Sequence, residues 1–553
     1  MAPWSTTRIA LVLASTFGLI WAHAIGVTGF FDPTNIDWMF EGDWQAQLYG
    51  WLFARIAPWG IPFSQAPNLV YPFGSSAALT DSVPSLILVS KLASPLFGER
   101  MQPFGVWMVT GIMATGAAGV LICRAWLRDL PSLTFAGCLF VMNPVLTTRY
   151  GHIPFFGFWA IFALVGLCIW PVNELKSARR IAAVTIACGF FACSTTAYVA
   201  MMCMLLVGAG ILRLVLVARA FKPREALAWL FAAPAFCLLS LYLFGWVKGA
   251  LNSPKLTEEG FGQFSADLLT FFNPSIWSRF ISGFSMGPRQ YEGFAYLGLG
   301  VIALVLVRLV LLVRFRPSRS ELLTWVPLLI AIVLMGTFAL SNIVTVAGKP
   351  VANWSAFYSH LGQYPQVFRS SGRFIWPMFC TLYLVAALAV TRIEALWVRQ
   401  WVLGLGVLLQ FVDINPTQAP IRHPYPHFEP SRDPAWALLN EYQHLVISPI
   451  QLQWVCPYDH ILVSTLSWQA YRQNLTINSG HVGRAPPGSD CKKHLSPAEL
   501  DDQTVYIPYF AEYVPDLVNA GFVCGQVERW LVCVSPNRDT ALQRLLRTRA
   551  APR

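Results

Sequence analysis

Charge is what this chain has least of. Only 12% of its 553 residues are Asp, Glu, Lys or Arg, about half of what a water-facing globular surface carries. Hydrophobic residues make up 55% and gather in blocks, so an ordinary soluble domain is excluded. Several motifs are missing as well. There is no Walker loop, no strand-to-helix dinucleotide fingerprint, no His-Glu-x-x-His and no strand-to-helix nucleophile elbow. ATP-driven transport and soluble nucleotide-sugar chemistry therefore have no support. No cysteine pair has zinc-site spacing. The net charge of +11 comes from basic residues at segment ends, without the stripe or motif that nucleic-acid binding requires.

What is present is a series of apolar runs. They cover 9–31, 104–126, 132–148, 154–171, 181–193, 199–218, 226–246, 295–314, 322–343, 374–391 and 400–414. The expected fold is a polytopic α-helical membrane protein of about eleven transmembrane helices, residues 1–413. The first run ends in no cleavage site and is expected to stay as a helix with Arg8 inside. The pair 181–193 and 199–218 reads either as a hairpin or as one helix broken around Ser194-Thr195-Thr196. With the N-terminus inside, the connections 123–130, 172–180, 219–225, 314–321 and 392–399 are all basic, as cytoplasmic loops are. The opposite loops, 32–103, 149–153, 194–198, 247–294 and 344–373, hold most of the loop carboxylates. Residues 84–98 are short, contain Lys91 and would invert every later loop if counted as a span. They are expected to form an interfacial or re-entrant helix.

The outer loops carry the chemistry. In GFFDPTNIDWMFEGDWQAQLYGW stand Asp32, Asp37, Glu41 and Asp43 among aromatic side chains that suit sugar rings and the lipid interface. Asp32 and Asp37 read as turn caps. Asp43, at the start of an expected helix over 44–56, reads as functional. Asp81, in YPFGSSAALTDSVP, either caps the helix from Val83 or belongs to the site. Arg149 and His152 end a span on the same side. His152 could bind phosphate or orient a base, or contact helix-end carbonyls. Arg149 could equally be an interfacial anchor. The loop 247–294 holds Lys248, Lys255, Glu258, Glu259, Asp267, Arg279, Arg289 and Glu292. Glu292 needs a partner, either Arg373 or a sugar hydroxyl. FRSSGRFIWP sets Arg369 and Arg373 around Ser370, Ser371 and Gly372, which could offer backbone and hydroxyl donors beside them, and is read as a phosphate site rather than a lipid anchor.

These stretches carry a resemblance. A span, a long outer loop with acids and short helices, then further spans, is similar to the GT-C glycosyltransferase plan. GDWQAQLYGW, YPFGSSAALTDSVP, RYGHIPFFGFW, QYEGFAYLGLG and FRSSGRFIWP resemble an uncharacterised bacterial membrane family of that type. The resemblance spans about residues 9–414. It implies Asp43 as general base and a polyprenyl-phosphate sugar donor near Asp81, Arg149, His152, Glu292, Arg369 and Arg373. It also implies a glycan, lipid or protein hydroxyl as acceptor at the outer face of a bacterial inner membrane. Where many GT-C enzymes carry a second acid, this chain has Arg149-Tyr150-Gly151-His152. No cofactor is expected, and a divalent metal is left open. Rival readings are a transporter or flippase of lipid-linked sugars, a polysaccharide ligase or polymerase, and a non-catalytic assembly subunit. Membrane lipids are expected partners; nucleic acid is not.

A Pro-rich linker, NPTQAPIRHPYPHFEPSRDP, opens a small α/β domain over 414–553, expected in the periplasm. DPAWALLNEYQHL reads as a helix, HILVST and TVYIPYF as strands, and FVCGQVERWLVCVS as two strands around a tight turn. Its four cysteines allow three pairings. Cys524 with Cys533 and Cys456 with Cys491 is preferred.

Overall fold

A computed structural model describes residues 1–247, 260–416, 433–453, 456–483 and 489–549. Lys248, Lys255, Glu258, Glu259 and most of the Pro-rich linker lie outside these. Helices stand at all eleven expected positions. Among the described residues, seven are long and apolar enough to cross a membrane: Trp4–Ala24, Phe104–Cys123, Leu130–Thr147, Ala197–Val217, Pro223–Leu243, Arg319–Leu340 and Ser371–Arg392. The other four are shorter or more polar. Ile153–Ile169 and Leu299–Arg314 fall short of about 20 residues. Leu175–Cys193 starts with Lys176, Arg179 and Arg180, and Leu396–Asp413 carries Arg399. The chain is a helical membrane protein.

Close packing comes from small side chains, which let helices approach where no hydrophobic effect drives them together. The Trp4–Ala24, Phe104–Cys123 and Leu130–Val141 helices form one such group. A Cβ added at Gly116 would come 2.9 Å from the Ala14 carbonyl oxygen. Leu175–Cys193 and Ala197–Leu212 pack as a hairpin through the Ser194-Thr195-Thr196 turn, which resolves the alternative of one broken helix.

The basic connections collect at one end of the bundle. Ala2 N–H donates to the Arg124 carbonyl at 2.9 Å. Gln400 donates to Asp129 at 3.0 Å, Arg392 to Glu321 at 2.9 Å and Arg179 to Glu225 at 2.7 Å. The acidic loops and the C-terminal residues sit at the other end. There, Pro84–Ala93 is a ten-residue helix, about 15 Å long and half the hydrocarbon thickness. Its Lys91 is buried and donates to the carbonyls of Ala54 and Ala57 at 2.9 and 2.6 Å. It thereby closes the C-terminus of the Trp44–Ile56 helix.

Two small antiparallel hairpins lie in the loops: β1 (Gln65–Ala66) with β2 (Ser75–Ser76), and β3 (Ile343–Val346) with β4 (Lys349–Asn353). The C-terminal residues form a five-stranded sheet of β5 (His444–Ser448), β6 (Thr476–Ile477), β7 (Thr504–Pro508), β8 (Val523–Val527) and β9 (Trp530–Val534). The strand order is β6-β5-β7-β9-β8, parallel across β6-β5-β7 and antiparallel beyond. Disulfides join Cys456 to Cys491 and Cys524 to Cys533.

Two expectations are corrected here. HILVST is not a strand but the start of a helix, His460–Arg472. Asp459 caps it by accepting from the Ile461 and Leu462 N–H groups at 2.9 and 3.0 Å, and this outweighs the β-propensity of the run. DPAWALLNEYQHL is helical only over Pro434–Glu441, and β5 begins at His444. The His460–Arg472 helix docks on Trp44–Ile56. Tyr49 Oη donates to the Ser464 carbonyl at 2.5 Å and Gln45 to the His460 carbonyl at 3.1 Å. The first long loop is thus clamped between the bundle and the His460–Arg472 helix.

Candidate functional site

Asp43 stands at the N-cap of Trp44–Ile56 but makes no capping bond. The helix is held by other means. Trp44 Nε1 donates to the Tyr150 carbonyl at 3.0 Å, and its ring packs edge-on against Trp38. The Asp43 carboxylate is therefore available, with 41% of the side chain exposed. Asp81 does not cap the following helix either. That helix has Val83 at its N-cap with no side-chain bond. Asp81 adopts a left-handed φ of 51°, which Asp tolerates better than most residues, and faces His152 Nδ1 at 3.3 Å.

His152 bridges two kinds of charge. Its Nδ1 lies by Asp81, while Arg373 Nη2 is 3.4 Å from its Nε2. A guanidinium only donates, so the tautomer that accepts from Arg373 at Nε2 is the one with its ring N–H on Nδ1, facing Asp81. Asp43 Oδ2 and Glu292 Oε1 are each 4.0 Å from Nε2. His152 is thus more than a helix-end contact.

Behind it lies a buried ionic cluster. Arg373 grips Glu292 with two bonds, Nε to Oε2 at 2.8 Å and Nη2 to Oε1 at 3.0 Å. Arg149 Nη1 donates to the same Oε2 at 2.8 Å, and its Nη2 donates to the Tyr291 carbonyl at 2.6 Å. Burial alone would push the Glu292 carboxyl up. The charges of Arg149 and Arg373 and the Arg373 hydrogen bonds outweigh it and hold the group well below the usual carboxylate range. Arg149 is therefore no interfacial anchor, and Glu292 is occupied by both arginines rather than waiting for a sugar.

Two glycines permit this cluster. A Cβ at Gly372 would meet Gly293 Cα at 2.8 Å, and one at Gly293 would meet Ala266 Cα at 2.4 Å. The segments carrying Glu292 and Arg373 can only lie this close without side chains there. The Arg373 guanidinium also lies over the rings of Tyr198 and Phe155, at 4.5 and 4.8 Å. The expected backbone donors of Ser370 and Gly372 are already committed. Ser370 N–H donates to Tyr198 Oη at 3.1 Å, and Gly372 N–H to the Phe264 carbonyl at 2.8 Å.

A cavity of about 170 Å³ collects these parts. Asp43 and Asp81 line it together with His152, Tyr198, Trp246, Arg369, Ser370 and Arg373. Arg149 and Glu292 do not line it; they hold Arg373 from behind. Arg369 stacks over Phe264 at 5.7 Å. The indole N–H of Trp246 is buried without a hydrogen-bond partner. Among the described residues, no three His, Cys, Asp or Glu side chains are arranged to hold a metal ion.

Tyr198, Trp246 and a further lining residue, His481, escaped the sequence reading. His481, just after β6, brings Nε2 to 3.9 Å from Asp43 Oδ1. Its side chain is 5% exposed, and its Nδ1 has no partner. Burial pushes its pKa down to about 4, against the opposing pull of Asp43, so the ring is neutral near pH 7. Its placement follows from a long-range contact, the Gly483 N–H donating to the Leu79 carbonyl at 2.8 Å. The only local signal is a histidine among glycines, Gly480-His481-Val482-Gly483.

Of the remaining loop acids, Glu41 is exposed, while Asp32, Asp37 and Asp267 have structural partners. Asp32 accepts from Thr34 N–H and Oγ1 at 2.8 and 2.7 Å, and Asp37 pairs with Arg100. Asp267 accepts from Thr345, Ala347 and Gly348 at 2.7, 3.1 and 3.0 Å and fixes the β3–β4 hairpin. Arg289 donates to Gln263 at 2.7 Å, and the Arg279 N–H to the Asp413 carbonyl at 2.9 Å.

No curated protein matches the chain. Among solved structures, the crystal structure of the Archaeoglobus fulgidus oligosaccharyltransferase in complex with Zn and sulfate is similar at 14% identity and a TM-score of 0.35. The similarity covers 85% of this chain, which spans 62% of that one. Residues 15–415 match the family described as domain of unknown function DUF6311, and residues 435–535 match the DUF6311 C-terminal domain. The chain belongs to the DUF6311 family.

Proposed function

We propose that the chain is a GT-C-type glycosyltransferase that moves a sugar from a polyprenyl-phosphate carrier to a hydroxyl acceptor. One observation carries this reading. Two carboxylates, Asp43 and Asp81, and two guanidiniums, Arg369 and Arg373, line a single cavity with His152 bridging Asp81 and Arg373. Attack by a hydroxyl needs a base, and departure of a phosphate needs positive charge.

In the proposed step the acceptor oxygen attacks the anomeric carbon while Asp43 takes its proton. The bond between that carbon and the phosphate oxygen breaks, and its electron pair leaves with the lipid phosphate. Arg373 and Arg369 stabilise the charge that develops there. A single displacement inverts the anomeric configuration. Tyr198 and Trp246 add aromatic surface to this polar cavity beside the sugar. Arg149 and Glu292 are positioning residues that fix the Arg373 fork. The domain contributing His481 closes the site beside Asp43. The two disulfides support an oxidising, periplasmic location for that domain.

The test uses purified protein, radiolabelled polyprenyl-phosphate sugars and a crude membrane acceptor. Transfer by wild type and its loss in Asp43→Asn, with donor binding retained, supports the reading. Movement of the lipid-linked sugar across vesicles without transfer would favour a transporter.

A further inference from the structure

A second cavity lies at the opposite end of the bundle, far along the chain's helices from the site above. It measures about 1060 Å³ and runs between the Phe104–Cys123 and Leu175–Cys193 helices, with Ile153–Ile169 beside it. Small residues, Ala114, Ala117, Ala118 and Ala163, leave the room. The walls are apolar, but the mouth is not. Arg124, Lys176 and Arg180 stand there with Glu174 as the one acid.

Three features identify an occupant. The first is charge: three cations against one carboxylate favour an anion. Lys176 and Arg180 are exposed, and neither forms an ion pair among the described residues. The second is an arginine held in place at the mouth. Arg124 lines the groove, is 8% exposed, and has its guanidinium 3.6 Å over the Trp4 ring. A fixed guanidinium suits a phosphate. The third is length. The lining runs from Trp159 to Trp170, about 16 Å at the helical rise, which is one leaflet of a hydrocarbon core about 30 Å thick. Trp4 and Trp170 at the mouth match the depth of an interfacial aromatic belt.

We infer that this groove holds one anionic phospholipid of the leaflet on the basic side, with its phosphate at Arg124, Lys176 and Arg180 and its acyl chains along the alanine-lined wall. The inference is independent of the glycosyltransferase reading, since none of these residues lines the Asp43 cavity.

Native mass spectrometry of the delipidated full chain in detergent tests it. The probes are long-chain phosphatidylglycerol, phosphatidylcholine of the same chains, dihexanoyl phosphatidylglycerol and inorganic phosphate. One long-chain phosphatidylglycerol should bind in preference to the other three. Lys176→Gln with Arg180→Gln changes only exposed side chains and should weaken it about 25-fold, at about fivefold per basic residue near a membrane surface. Equal binding of phosphatidylcholine would overturn the charge argument. Equal binding of the short-chain lipid, or displacement by inorganic phosphate, would overturn the groove argument. Unchanged binding in the double variant would overturn both.

Discussion

His481 Nε2 lies 3.9 Å from Asp43 Oδ1, although one residue follows β6 of the C-terminal sheet and the other precedes the first-loop helix. Asp43 is thus flanked by His481 on one side and His152, at 4.0 Å, on the other. The C-terminal residues are part of the cavity wall, and truncation before them would open the site as well as remove a domain.

The neutral, buried state of His481 makes stability depend on pH. Its folded pKa of about 4 lies below the ordinary 6.5, so between these values the unfolded chain binds more protons. Stability is full above about pH 6.5 and falls as pH drops towards 4, by on the order of 3 kcal/mol. Thermal unfolding in detergent between pH 4 and 7 measures this. His481→Asn should flatten the slope in that window; an unchanged slope would remove His481 as its source.

Breaking the buried ion cluster is expected to be costly. Glu292→Ala leaves Arg149 and Arg373 facing each other without their shared carboxylate, a loss of about 3–5 kcal/mol. A lowered thermal midpoint reads it out. Because the folded pKa of Glu292 is depressed, its contribution is present above the ordinary glutamate range and is lost only as pH falls well below it.

Gly372→Ala should disturb the same cluster from the backbone. The new methyl group would meet Gly293 Cα at 2.8 Å, and relief of such overpacking typically costs about 1–3 kcal/mol. Sugar transfer should fall together with the thermal midpoint, since Arg373 follows directly in the chain.

The two disulfides should differ in weight. Cys456–Cys491 closes 35 residues and Cys524–Cys533 closes 9. Loop entropy then assigns about 4 kcal/mol to the first and about 2.5 kcal/mol to the second. Thermal midpoints of Cys456→Ser and Cys524→Ser, each compared with wild type, check the order.

The helices were legible because each is a continuous apolar run, and the Trp44–Ile56 helix because its start combines Gly, Asp and Trp. Asp43, Asp81, His152, Arg369 and Arg373 were all visible as outer-loop residues, and all line one cavity. What the pattern could not carry was contact across the chain. The role of Arg149 depends on Glu292, 143 residues away. His481 depends on the loop of Leu79. The β-branched run HILVST reads as a strand until Asp459 and the partner helix are known. The backbone donors of Ser370 and Gly372 looked available because their acceptors, Tyr198 and Phe264, lie on other segments.

The most direct test of the central claim is the rate of sugar transfer by Asp43→Asn relative to wild type, with donor binding measured on the same samples. The account predicts a loss of about 10²–10⁴-fold, the usual contribution of a general base, with donor binding unchanged. Transfer at the wild-type rate in Asp43→Asn would contradict it.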